Sequence, residues 1–196
     1  MRTQLDSFRW SCGSRLLTAA LCACALLLGA DQAAAQRKGF VLNLGVGPAL
    51  TSLKATGFNG PRVNKTALGT DFKIGYAPSD RLLIYYSNDA AFFGSDDDNV
   101  ILAATGQSGI GATYFLSSTA PSFYVQGGIG FAAFNEVLDD GETVSATGSG
   151  VNLGGGFEFA RHWNVDVDLI LGSVEDEFGG KLSIRTVRFA INWLLY

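Results

Sequence analysis

The sequence predicts an all-β fold, a closed antiparallel transmembrane β-barrel of about eight strands in an up-and-down meander. Three observations carry that expectation. Segments of roughly ten residues alternate apolar side chains with polar ones or glycines in steps of two. The connections between these segments alternate strictly between short and long. The chain stops on VRFAINWLLY (187–196), an apolar strand with no tail behind it.

Residues 1–35 differ from the rest. Arg2, Arg9 and Arg15 precede LLTAALCACALLLGA (16–30), an apolar stretch of 15 residues, shorter than the ~20 that a spanning helix needs. Ala33-Ala34-Ala35 then supply the small residues of a cleavage site. The expectation is a cleaved secretory signal peptide over 1–35 and one barrel domain over 36–196. Cys12, Cys22 and Cys24 all lie in the leader. The mature chain is therefore expected to lack a disulfide, a thiolate metal site and a cysteine nucleophile. Without the leader's three arginines and two aspartates, the 14 basic and 18 acidic residues become 11 and 16, a net charge of −5. An acidic balance without a basic stripe argues against nucleic acid as a partner.

The strands follow in order. GFVLNLGVGPAL sets Phe40, Leu42, Leu44 and Val46 against Asn43, Gly45 and Gly47. ALGTDFKIGYA sets Leu68, Phe72, Ile74 and Tyr76 against Gly69, Asp71, Lys73 and Gly75. RLLIYYSNDAA is apolar on both faces at its start and gives the weakest pattern. ILAATGQSGIGATYFL opposes Ile110, Ala112 and Tyr114 to Gln107, Gly109 and Gly111, and SFYVQGGIGFAAF opposes Phe123, Val125, Ile129 and Phe131 to Tyr124, Gln126 and Gly128. GVNLGGGFEFA opposes Val151, Leu153, Phe157 and Phe159 to Asn152, Gly154, Gly156 and Glu158. NVDVDLILG opposes Val165, Val167, Leu169 and Leu171 to Asp166 and Asp168. The last strand presents Phe189, Ile191, Trp193 and Leu195 on one face and Arg188, Ala190 and Asn192 on the other; Tyr196 falls out of phase with the apolar set.

The connections at 77–80, 117–121 and 160–163 are short; those at 50–66, 92–99, 134–148 and 173–182 are long. A transmembrane barrel has short turns at one end, longer loops at the other, and both termini on the short-turn side. The glycine pairs on the polar-side face suit a cramped interior, because a wet strand surface has little use for glycine. The aromatic-rich face suits lipid. Closure satisfies every ladder hydrogen bond, which hydrocarbon demands.

With these features the chain resembles the small outer-membrane barrels of the OmpA/OmpX kind over essentially all of 39–196. The resemblance implies location in the outer membrane of a Gram-negative-type envelope. It also implies recognition of the terminal strand (Phe189, Ile191, Trp193, Leu195, Tyr196) by the barrel-assembly machinery, with the end held by pairing to the first strand.

Little chemistry is visible. The lone histidine, His162, sits in a short turn on the wrong side for the lipid-modifying enzymes of this membrane. Ser87-Asn88-Asp89, read as near the outer end of the third strand, has no histidine to activate its serine. Catalytic residues, metal ions and cofactors are therefore not expected. Asp71, Lys73, Glu158, Asp166, Asp168 and Arg188 project inward and are expected to form one charge network that fills the lumen. The outer loops gather acids: Asp96, Asp97 and Asp98; Glu136, Asp139, Asp140 and Glu142; Glu175, Asp176 and Glu177. Such oxygens are candidates for weak divalent-cation binding. Arg62, Lys65, Lys181 and Arg185 near the same rim are candidate lipopolysaccharide contacts. The expected function is a non-enzymatic structural or surface-interaction role. A small or gated pore is the alternative, followed by an outer-membrane enzyme and a soluble lipocalin-like binding barrel.

Overall fold

The computed structural model describes residues 37–56, 62–95, 99–175 and 179–196. The expected leader, Asp96–Asp98, Asp176 and Glu177 lie outside these residues. Eight antiparallel strands follow one another around a closed barrel: β1 (Gly39–Thr56), β2 (Val63–Ser79), β3 (Leu82–Phe93), β4 (Val100–Phe115), β5 (Ser122–Leu138), β6 (Thr143–Ala160), β7 (Trp163–Glu175) and β8 (Lys181–Leu195). β1 pairs with β8, so no sheet edge is left open.

The register fixes the geometry. Stepping across paired residues from Leu44 leads through Phe72, Asn88, Ser108, Phe131, Ser149, Ser173 and Ser183 to Lys54. One circuit thus climbs from residue 44 to residue 54 of β1, a stagger of ten residues, and the strands must tilt from the barrel axis to accommodate it. Both described ends of the chain lie at one end of the barrel, here the lower end, with the turns at Asp80-Arg81, 116–121 and Arg161-His162.

Polarity is inverted relative to a soluble barrel. Ile129 is 62% exposed, Phe131 79% and Ile191 47%, while Asp71, Asp89, Asp168 and Arg188 are each at most 2% exposed. Phe123 and Phe157 stack on the outside, ring centroids 4.6 Å apart. The glycines of the inner face provide sockets for large neighbours. A Cβ on Gly45 or Gly154 would land on the side-chain oxygen of Asn192 or Asp168, and one on Gly69 would lie 2.9 Å from the Arg188 stem.

The long connections differ from expectation. Much of 134–148 is strand, and β5 and β6 meet in a turn at 139–142. Similarly, β1 continues to Thr56 and β8 begins at Lys181. Above the apolar band the outward positions turn polar, as at Ser52, Asn135, Ser173 and Arg185, so the outward-apolar alternation fades while the backbone ladder continues.

Candidate functional site: a layered ionic lumen

Three layers fill the barrel. At the lower end Val41, Ala77, Leu83, Tyr85, Phe115, Tyr124 and Leu194 form an apolar cluster. Toward the upper end lie two more, one around Ala49, Ala91 and Phe93 and one around Ala132, Val174 and Ile184. Between them sits an ionic layer.

Arg188 on β8 is the hub of that layer. Its Nη1 donates to Asp89 Oδ1 at 2.5 Å and to the Thr70 carbonyl at 2.7 Å. Its Nη2 donates to Asp168 Oδ2 at 2.5 Å and lies 3.5 Å from Asp71 Oδ2. Lys73 Nζ reaches Asp71 Oδ2 at 2.6 Å and Gln126 Oε1 at 3.1 Å. The Gln126 amide donates onward to Asp168 Oδ1 at 2.7 Å and Asp166 Oδ2 at 3.2 Å. Below it, Tyr124 Oη and Asn192 Nδ2 both donate to Asn164 Oδ1, at 2.6 and 2.9 Å. These side chains bridge the barrel, since β2, β3, β5, β7 and β8 all contribute. Small cavities adjoin the layer, one of about 20 Å³ below it and one of about 10 Å³ above it. Such volumes hold about one water each.

A second ionic group closes the lower mouth. Arg37, 1% exposed, pairs through Nη2 and Nε with Glu158, and its Nη1 donates to the carbonyls of Asp80 and Ser117, each at 2.9 Å. The guanidinium lies 4.0 Å from the Phe115 ring centroid. Tyr196 Oη donates to Glu158 Oε1 at 2.8 Å. Burial and the adjacent Glu158 carboxylate push the Tyr196 phenol up, so it stays a donor. His162, at φ 69°, holds the terminus in place. Its Nδ1 lies 2.8 Å from the Leu194 carbonyl and its ring 4.8 Å from that of Tyr196.

The expected single network is therefore two. Asp71, Lys73, Asp166, Asp168 and Arg188 come together, whereas Glu158 stands apart at the mouth. Asp89 and Arg37 are the members that sequence reasoning missed. Strand three is apolar on both faces where it begins, which hid the inward parity of Tyr85, Ser87 and Asp89. Ser87-Asn88-Asp89 also sits mid-strand rather than near the outer end, with Asn88 outward and its neighbours inward. Tyr196 resolves as a rim residue, its ring turned to the mouth. Phe189 and Ile191 face outward, 48% and 47% exposed, and β8 pairs with β1.

Of the acids expected in loops, Asp139, Asp140 and Glu142 form the β5–β6 turn, where Glu142 N donates to Asp140 Oδ1 at 2.9 Å. Glu136 lies within β5 and Glu175 ends β7, paired with Lys181 at 3.4 Å. Among the described residues, these two sets do not come together in one cluster. The carboxylates among the described residues whose oxygens converge, within 4.8 Å of one another, are the interior Asp71, Asp166 and Asp168.

No protein-family model matches the chain, and no curated protein matches it either. Solved structures do. Ail, the attachment invasion locus protein of Yersinia pestis, in complex with the heparin analogue sucrose octasulfate, superposes with a TM-score of 0.55 at 14% identity over 80% of this chain and 99% of Ail. Neisserial surface protein A gives a TM-score of 0.55 at 13% identity over 80% of this chain and 96% of its own. The shared feature is the eight-stranded closed meander, and with it the chain has the fold of the small outer-membrane β-barrels, the OmpA/OmpX kind that its sequence resembles.

Proposed function

We propose that this chain is a non-enzymatic outer-membrane barrel whose work is done on its outside, the lumen serving as a structural plug. The observation that carries the reading is the layered interior: an ionic layer that spans the barrel, apolar clusters on both sides of it, and the Arg37–Glu158 closure of the lower mouth. Eight strands enclose about enough room for side chains, and here side chains occupy it. The lower end, with its short turns and both termini, corresponds to the periplasmic side. The terminal strand then supplies the signal that the assembly machinery reads, and residues 1–35 the cleaved export signal.

The outside offers two surfaces of opposite sign at the upper end. On β8 and β1, Arg185 pairs across to Ser52, Ser183 to Lys54 and Lys181 to Thr56, directly above the apolar band. Arg62 joins them by donating to Ser52 Oγ at 3.2 Å. This cationic belt lies at the height where lipopolysaccharide phosphates would sit. Lys65 is half-buried on the inner side of β2 and falls outside the belt. The β5–β6 turn instead presents Asp139, Asp140 and Glu142 outward to solvent, a surface for basic partners or weakly held divalent cations.

Single-channel recording in planar bilayers tests the plug: no stable conductance is expected. Reproducible channel steps that change with Arg188→Ala would replace this reading with that of a gated pore. Calorimetric titration of lipopolysaccharide onto the Lys54→Gln/Arg185→Gln variant should show weaker, less salt-dependent binding than the parent protein.

A further inference from the structure

The outer surface carries one break in its apolar band. In a barrel whose strands tilt by about 40° and rise about 3.3 Å per residue, an apolar belt of about 25 Å takes up about ten residues of each strand. Five strands obey this. Counting outward-facing positions upward from the lower aromatic or apolar rim, the first polar side chain is Ser52 above Phe40, Asn135 above Phe123, Ser149 above Phe159, Ser173 above Trp163 and Arg185 above Leu195. Each lies ten or twelve residues from its starting point. Three adjacent strands depart from it. Thr70 comes six residues above Tyr76, Asn88 six above Leu82, and Ser108 eight above Leu116. These positions fall at mid-depth.

The neighbours confirm the depth. Asn88 and Ser108 are cross-strand partners in the row Phe72–Asn88–Ser108–Phe131. The row beneath is Ile74–Tyr86–Ile110–Ile129, with Ile110 66% exposed, and Phe92 and Leu68 stand exposed above. The row between, Thr70–Ala90–Gly106–Ala133, is made of small residues, so the polar pair borders a shallow step. Asn88 Nδ2 donates to Ser108 Oγ at 2.7 Å. That satisfies one amide hydrogen. The Asn88 carbonyl and its second N–H have no partner among the described residues. Acyl chains provide neither donor nor acceptor, so an outward amide at this depth keeps an unmet hydrogen-bond demand.

We propose that this face of β2–β4, centred on Asn88, is a lateral self-association surface at which two copies meet about a two-fold axis in the bilayer. The occupant follows from the chemistry of the amide. A side-chain amide carries both donor and acceptor, so it is complementary to its own copy, and a two-fold contact places the same residue on both sides of the axis. The free Asn88 carbonyl of each copy accepts from the free N–H of the other. The low row beside it lets the two backbones approach, as small residues do between membrane helices, and the outward-facing Phe72, half-buried, with the exposed Phe131 and Ile110, packs around the polar centre.

The test is cysteine cross-linking of the full chain in native membranes, with Cys12, Cys22 and Cys24 replaced by alanine and copper-phenanthroline as oxidant. Asn88→Cys is expected to give a dimer band, and Leu169→Cys, outward on the far side of the barrel, is not. If Asn88→Cys fails to fold by heat-modifiable gel mobility, Ser108→Cys on the adjacent strand replaces it. In detergent, Asn88→Leu should weaken dimerisation about threefold to tenfold while leaving the folded mobility unchanged. Absence of a dimer at 88 and 108, or equal cross-linking at 169, overturns the proposal. Cross-linking only to a protein of another mass overturns the choice of a second copy.

Discussion

The two ionic groups inside the barrel use the same side-chain types in different proportions. At the mouth one guanidinium meets one carboxylate: Arg37 and Glu158 pair, and the remaining capacity of each is taken up by turn carbonyls and the Tyr196 hydroxyl. In the central layer Lys73 and Arg188 face Asp71, Asp89, Asp166 and Asp168, two bases against four acids. Asp71 Oδ1 and Asp166 Oδ1 are buried there with no protein partner among the described residues. The mouth is a balanced pair, so its two halves depend on each other about equally. The centre is a shared resource, in which removing a base harms several acids and removing an acid relieves the rest.

The most damaging change should therefore be Arg188→Ala. It leaves Asp89 and Asp168, each 1% exposed, without their 2.5 Å donors. Breaking a buried pair in this way costs about 3–5 kcal/mol, read as a lower urea midpoint for unfolding in lipid vesicles. No single acid-to-amide change should restore the loss, because more than one acid is stranded. An unchanged midpoint would mean that the layer does not hold the barrel together.

Next comes the socket that admits Asp168. Gly154→Ala places a methyl on Asp168 Oδ1 and 2.6 Å from the Val167 carbonyl. Displacing a tightly packed group costs about 1–3 kcal/mol. The penalty should fall only in part in the Asp168→Ala background, which empties the socket but leaves the Val167 carbonyl 2.6 Å from the new methyl; complete relief would place the whole strain on the Asp168 side chain.

At the mouth, Arg37→Ala should cost about 2 kcal/mol, the scale of charge-assisted hydrogen bonds lost at a site that water can re-enter. Here the one-to-one balance predicts rescue. Adding Glu158→Gln removes the stranded charge and should recover about half of the loss in the same unfolding experiment. Rescue at the mouth together with none at Arg188 is the sharpest form of the contrast; rescue at both would erase it.

How much of this could be read from the chain depends on contrast between strand faces. Where one face is glycine, amide or carboxylate and the other is Ile, Phe or Val, the parity of Asp71, Asp166, Asp168 and Arg188 follows from alternation alone, and the barrel with it. Strand three begins with Leu82-Leu83-Ile84-Tyr85-Tyr86, which carries no contrast, so Asp89 was not visible as an inward partner. Arg37 precedes the first alternating segment, and its role arises only because closure brings the turns at Asp80 and Ser117 beside Glu158. The outer hairpin at 134–148 has the look of a loop in the sequence because its outward positions Asn135, Ser145 and Thr147 are polar, although the ladder between β5 and β6 persists to Val137 and Thr143.

The smallest expected effect is also the most telling for the excess of acid. Asp166 accepts from Gln126 Nε2 at 3.2 Å and from Tyr124 Oη at 3.3 Å, and among the described residues it forms no ion pair. Asp166→Asn keeps the acceptor oxygen and most of the shape while removing one of four negative charges. Like charges a few ångströms apart in a poorly screened interior repel, and here each of the other three carboxylates already has Arg188 or Lys73 beside it. The substitution should leave the urea midpoint unchanged or raise it, with a change of under about 1 kcal/mol. A loss of about 2 kcal/mol or more would show that Asp166 stabilises the layer through its charge, and the centre would then behave as the balanced mouth does.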